Sequence, residues 1–246
     1  MLSYQHGYHA GNHADVLKHT VLTAILARMV AKEKPVRYID THAGSGSYDL
    51  KSPAAQQNRE YADGIGRIWS ATDAPPAVAR LLELAHTHNG TGALRRYPGS
   101  PWFARELLRP EDRLHLFELH PAEHRRLARE FGGARNVRVL RENGLVGCIG
   151  LVPPPDRRGL LLIDPSYERG DEQREVIDAV GKVCQRFATG VIAIWYPVID
   201  RRAADKFERA LRASRVASFS TYELCVAAPT RGQDRKSTRL NSSHLD

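Results

Sequence analysis

The run Gly159-Leu160-Leu161-Leu162-Ile163 constrains this chain more than any other segment. It is apolar throughout, so neither of its faces can meet water. The rigid Pro153-Pro154-Pro155 leads into it and Asp164-Pro165 ends it. A short run of this kind reads as a strand buried on both faces, as in a parallel sheet. The rest of the chain has a matching rhythm. Strands are expected over residues 36–40, 114–119, 137–141, 159–163, 190–196 and 217–226. Helices are expected over 13–32, 58–69, 76–88, 100–108, 172–187 and 203–213. Strands alternating with helices imply βαβ crossovers and an α/β fold with helices on both faces of the sheet.

Residues 47–94 break that rhythm and read as a small helical insertion. Residues 1–230 are expected to form one domain. Residues 231–246 are polar and aperiodic, and they resemble translated adapter or vector sequence. They are expected to be a disordered, non-native tail.

The 246 residues carry a net charge of +8, of which 231–246 supply +2. Such a surplus favours an anionic partner, nucleic acid foremost, through phosphate neutralisation. Cys148, Cys184 and Cys225 form no CxxC pair and are odd in number, which reads as reduced thiols in the cytoplasm. Met1 to His6 is polar, with no signal peptide, and no apolar run approaches the roughly 20 residues needed to span a membrane. Nothing points to an obligate protein partner, and a monomer is expected.

The chemistry concentrates at strand ends. Asp164-Pro165-Ser166-Tyr167 presents a carboxylate, a proline carbonyl and an aromatic ring after the apolar strand. Those three groups suit a flat ring bearing an amine. Asp164 and the Pro165 carbonyl can accept its two N–H hydrogens, and Tyr167 can stack on its face. Asp40-Thr41-His42-Ala43-Gly44-Ser45-Gly46 is a glycine loop after an earlier strand. Gly44 there lets backbone approach a nucleoside without a Cβ clash. Glu118, at the tip of the next strand, can accept both ribose hydroxyl hydrogens. It lies 78 positions after Asp40, too far for a dinucleotide fingerprint unless an insertion intervenes. Asn143-Gly144 can read an adenine edge. His6, His9, His13 and His19 invite a zinc reading, but no cysteine or carboxylate cluster completes one, so no metal is expected.

Taken together, several segments resemble the RlmJ family, whose members methylate the N6 amine of an adenine in 23S ribosomal RNA. They are Tyr4, His9-Ala10-Gly11-Asn12-His13-Ala14-Asp15-Val16-Leu17-Lys18-His19, Asp40-Thr41-His42-Ala43-Gly44, Tyr97-Pro98-Gly99-Ser100-Pro101, Phe117-Glu118-Leu119-His120-Pro121 and Ile163-Asp164-Pro165. The resemblance runs from Met1 to about Arg231. It implies a Rossmann-like class I fold, dependent on S-adenosylmethionine and carrying a small helical insertion. It also implies cofactor contacts at Lys18, His19, His42, Ser100, Glu118, Asn143 and Gly144. Asp164 would be the catalytic acceptor beside the cofactor, Tyr167 would stack on the target base and Tyr4 would lie near the RNA.

The chain departs from the family pattern in three places. Ser166 replaces a second proline, Asn143 replaces an aspartate, and the foreign-looking tail stands where a final strand segment is expected, which would leave a sheet edge uncovered. Two other readings share much of this chemistry. One is an adenine-N6 methyltransferase acting on DNA, and the other is an RNA-binding relic with impaired catalysis.

Overall fold

A computed structural model describes residues 5–90, 92–214, 216, 218–226 and 237–242. Helix α1 (His13–Val30) leads into β1 (Arg37–Asp40). The segment that follows comprises β2 (Ser47–Asp49), α2 (Pro53–Asn58), α3 (Glu60–Asp63), α4 (Ile65–Ile68), α5 (Pro76–Asn89) and β3 (Arg96–Pro98). Then come α6 (Ser100–Leu107), β4 (Arg113–Phe117), α7 (Pro121–Phe131), β5 (Val137–Leu140), α8 (Gly144–Gly150) and β6 (Gly159–Ile163). The last elements are α9 (Glu172–Arg186), β7 (Val191–Val198), α10 (Arg201–Ala213), β8 (Ser220–Cys225) and β9 (Ser237–Ser242).

The main sheet has the order β5-β4-β1-β6-β7-β9-β8. Neighbours from β5 to β7 are parallel, and β9 runs antiparallel to both β7 and β8. This is the Rossmann-like class I methyltransferase arrangement. As expected, β6 is a central strand, and all five of its residues are buried.

Side chains alternate across the sheet, so each strand feeds two cores. Tyr38, Leu160 and Leu162 join Leu22, Ile25, Leu26, Phe103, Leu127 and Phe131 under α1, α6 and α7. Ile39, Leu161 and Ile163 join Val176, Val180, Val183, Phe207 and Leu211 under α9 and α10. The three leucines of β6 are at most 3% exposed, and each such burial contributes about 1.5–3 kcal/mol. The segment from β2 to β3 shares the main core: Ile65, Leu81 and Leu82 pack into the first cluster with α1. Among the described residues no helix is long and apolar enough to cross a membrane.

Two expectations need correction. The single helix expected over 58–69 is two short ones, α3 and α4, because Arg59 takes a left-handed conformation (φ +51°) at the end of α2 and Gly64 separates α3 from α4. The tail expected to be disordered contributes β9, paired along its length with β7 and β8. That strand covers the edge that its absence would have left open. The remaining tail positions, 231–236 and 243–246, lie outside the described residues.

Candidate active site

The C-terminal ends of β1, β4 and β6 meet the second turn of α1 and the first turn of α8 at one crevice, where open α/β sheets bind ligands. It encloses about 1090 Å³, counting the solvent at its mouth. Lys18, His19, His42, Gly44, Ser100, Glu118, Asn143, Gly144, Asp164 and Pro165 all line it, so residues spread over 148 positions converge there.

The β1 loop forms one wall. Asp40 is fully buried and accepts from Tyr38 Oη (2.8 Å), Ser100 Oγ (2.6 Å) and the His42 N–H (3.2 Å). Burial still pushes its carboxyl up to about 6, against the pull of those donors. Thr41 Oγ1 donates to the Leu162 carbonyl, so it is the acceptor for His42 Nδ1 at 2.8 Å. Burial lowers His42 to about 4 and keeps the ring neutral, which leaves Nε2 as an acceptor. His19, 2% exposed, touches Tyr97 Oη at 2.8 Å and is lowered by burial to about 3. Gly44 has φ +60°, and a Cβ there would run into the Tyr48 hydroxyl, so the loop shape demands glycine.

Glu118 closes the next wall. Its Oε1 accepts the His120 N–H at 2.6 Å and its Oε2 the Gly44 N–H at 2.9 Å. Burial raises the carboxyl to about 7, with Glu123 and Asp40 adding repulsion. Asn143 caps α8, its amide oxygen accepting the Leu145 N–H at 3.0 Å. Of the amide expected to read an adenine edge, the oxygen is thus engaged by the helix cap, and among the described residues no partner is seen for the nitrogen. Gly144 packs against the Thr41 carbonyl where no Cβ would fit.

Asp164 ends β6 with a side chain 13% exposed. Lys18 Nζ donates to its Oδ2 and, at 2.8 Å, to Asp15 Oδ1. Burial raises the Asp164 carboxyl, and the Lys18 ammonium opposes the rise. Burial would likewise lower the Lys18 pKa, but Asp15 and Asp164 outweigh it and hold the amine charged. Lys18 Nζ also lies 5.9 Å from the Trp195 ring centroid.

Two expected residues are not brought to the cleft. Tyr167 does not line it. Its φ is +54°, its hydroxyl donates to the Trp195 carbonyl at 2.9 Å, and its ring packs against Trp195 and Phe207. The turn after Pro165-Ser166 directs the ring into the second core instead. Tyr4 lies outside the described residues. Sequence reasoning also gave no role to Asp15 or Glu123. Asp15 sits three residues before Lys18 on one helix, a spacing that signals contact. Glu123 is buried beside Ser45 and paired with Arg126 at 2.7 Å, and nothing local marks it.

Comparison with known proteins gives a consistent result. The chain matches the family model described as "Ribosomal RNA large subunit methyltransferase D, RlmJ" over residues 33–244. It is 43% identical over 226 residues to "Ribosomal RNA large subunit methyltransferase J" of Escherichia coli (strain K12), spanning 92% of this chain and 81% of that protein. The crystal structure of protein LPL1258 from Legionella pneumophila str. Philadelphia 1 superposes with a TM-score of 0.87 at 36% identity, over 96% of this chain and 86% of that one. The METTL16 MTase domain superposes with a TM-score of 0.50 at 11% identity, over 94% of this chain and 68% of that one, a likeness of fold alone.

Proposed function

The chain belongs to the RlmJ family of ribosomal RNA large subunit methyltransferases, and we propose that its own reaction is methylation of the N6 amine of an adenine in 23S ribosomal RNA. S-adenosylmethionine is the methyl donor that the family and the class I fold imply. When bound, it supplies a methyl group activated by a sulfonium centre.

The cleft residues fit that molecule. An ionised carboxylate has about four acceptor positions. Backbone N–H groups use two on Glu118, which leaves two for a ribose diol. Asn143 and Gly144 would hold the adenine, and Lys18, His19, His42 and Ser100 line the rest of the cleft. The lining holds five carboxylates, Glu118, Glu123, Asp164, Glu172 and Glu175, against two fixed cations, Lys18 and Arg169. With His19 and His42 neutral, that balance suits a cationic sulfonium.

The observation that carries the reading is the Asp164–Pro165 pair presented to this cleft with Lys18 as counter-ion. In the proposed reaction the adenine leaves its stack to enter the cleft, at a cost of about a few kcal/mol. Asp164 and the Pro165 carbonyl accept the two amine hydrogens and localise the nitrogen lone pair. Held in line with the methyl group, the amine reacts largely because it is positioned. The nitrogen then gives up one proton, for which Asp164 is the nearest base. Tyr167 serves by anchoring the turn through Trp195 and Phe207, in place of the stacking expected from sequence.

The test is labelled methyl transfer to an unmodified 23S ribosomal RNA fragment, with matched duplex DNA as competitor. Label recovered as N6-methyladenine in RNA alone is the expected outcome. Label in the DNA, or in another base, overturns the assignment.

A further inference from the structure

Asp15 is 1% exposed, yet it contacts both Lys18 and His6. Its Oδ1 faces Lys18 Nζ at 2.8 Å. Its Oδ2 accepts the Gly11 N–H at 2.8 Å and lies 2.9 Å from His6 Nε2. Its own N–H donates to the capping Asn12 side chain at 3.0 Å. An ionised carboxylate only accepts, so His6 Nε2 carries the proton in this contact.

The geometry poses a conflict at Asp164. Asp164 has two donors to serve: the Lys18 ammonium already holds its Oδ2, and the adenine amine needs another acceptor position turned toward the cleft. An ammonium competes strongly with a neutral amine for a buried carboxylate, because charge-assisted hydrogen bonds are roughly twice as strong as neutral ones. Lys18 cannot simply be absent, since Asp164 would then be buried without a counter-ion.

We propose that Asp15 is the positioning residue of the methyl-transfer site, sharing the Lys18 ammonium with Asp164 so that Asp164 stays ionised while an oxygen turns to the incoming amine. This inference rests on the methyl-transfer reading above. Asp15 does not touch the reacting atoms; it acts through Lys18. Through Gly11 and His6 it also ties the chain segment before α1 to the catalytic carboxylate, so the arm and the acceptor are set together.

The decisive variant is Asp15→Asn in the full chain, which keeps the shape and removes the charge. Lys18 is then left to Asp164 alone. Turnover on the RNA fragment should fall about 10²-fold, the scale of a misplacement of about 1 Å, with affinity for S-adenosylhomocysteine within about threefold of wild type. The acidic limb of kcat against pH should also move to lower pH. Asp164 is faced by Lys18, His6, Asp15, Asp40 and the phenols of Tyr38 and Tyr167, and the substitution removes one negative neighbour and concentrates the ammonium on it. Asp15→Glu, which restores the charge, should return the limb to its wild-type position. Should D15N fail to fold, Asp15→Ser keeps an acceptor for the Gly11 N–H and carries the same readings. Unchanged turnover with an unmoved limb overturns the proposal. So does a loss of turnover that merely follows lost stability and cofactor affinity. Wild-type protein that transfers no methyl group to RNA overturns the methyl-transfer reading itself, a result distinct from either.

Discussion

Ser100 Oγ donates to Asp40 Oδ2 across 2.6 Å, joining the first residue of α6 to the last residue of β1. The two positions are 60 residues apart, with β2, α2 to α5 and β3 between them. Removing the hydroxyl leaves a fully buried carboxylate short of one donor. Ser100→Ala should therefore cost about 1–3 kcal/mol, or about 2–4 °C of melting temperature per kcal/mol for a chain of this size. Thermal unfolding measures the loss, and titration with S-adenosylhomocysteine should show weakened binding. An unchanged melting temperature would mean the contact is dispensable.

Glu118 makes cofactor affinity depend on pH. Its carboxyl sits at about 7 in the folded protein against an ordinary 4.5, because of burial. Raised in this way, it favours the free folded state only while protonated, so its contribution is full below about 4.5 and fades as pH rises through 7. A ribose diol donates to the ionised form and reverses the preference. Binding of S-adenosylhomocysteine should thus release a proton near pH 6 and weaken by up to about tenfold per pH unit below 7. Calorimetry in two buffers of different ionisation enthalpy measures the release. Glu118→Gln should abolish it.

Asp164→Asn separates binding from chemistry. The amide keeps the shape of the turn, and Lys18 retains Asp15 as a partner. S-adenosylhomocysteine should bind as in wild type while turnover falls about 10²–10⁴-fold, the range for loss of a general base. Equilibrium binding and single-turnover methylation distinguish the two effects. Near-normal turnover would remove Asp164 from the acceptor role.

Tyr167→Phe tests where that ring acts. Among the described residues its hydroxyl donates to the Trp195 carbonyl alone, so the variant should lose about 0.5–1.5 kcal/mol of stability and keep most of its turnover. Tyr167→Ala, which removes the packing on Phe207 as well, should be much less stable. A large fall in kcat for Y167F at unchanged stability would return the residue to the base-handling role.

The parts of the site legible in the sequence are those that strands and one long helix place directly. Asp164, Glu118 and the Asp40–Gly46 loop follow apolar runs, and parallel strands carry such ends to one crevice. Lys18 and His19 lie within a helix whose periodicity is plain. Tyr167 was misplaced because a single left-handed residue after Pro165-Ser166 reverses a side chain, and propensity carries no sign of that. Helix α7 went unread because its buried face, Glu123, Leu127 and Phe131, begins with a charge. The three-residue strands β2 and β3 are too short to have a pattern. Strand β9 has no apolar alternation of its own to read; its place is defined by the backbone edges of β7 and β8.

The order β7-β9-β8 also dictates a timetable for synthesis. β8 leaves the ribosome before β9, but among the described residues its ladder partner in the sheet is β9. Until residues 237–242 emerge, β7 presents a bare edge and β8 has nothing to bind, so α10 connects the growing sheet to a waiting strand. Domains assemble from the N-terminus during translation, and this sheet cannot join β7 to β8 until residues 237–242 have been made. The crevice, built from β1, β4 and β6, can take shape well before that moment. In this protein the strands that carry the chemistry precede the strand that joins β7 to β8.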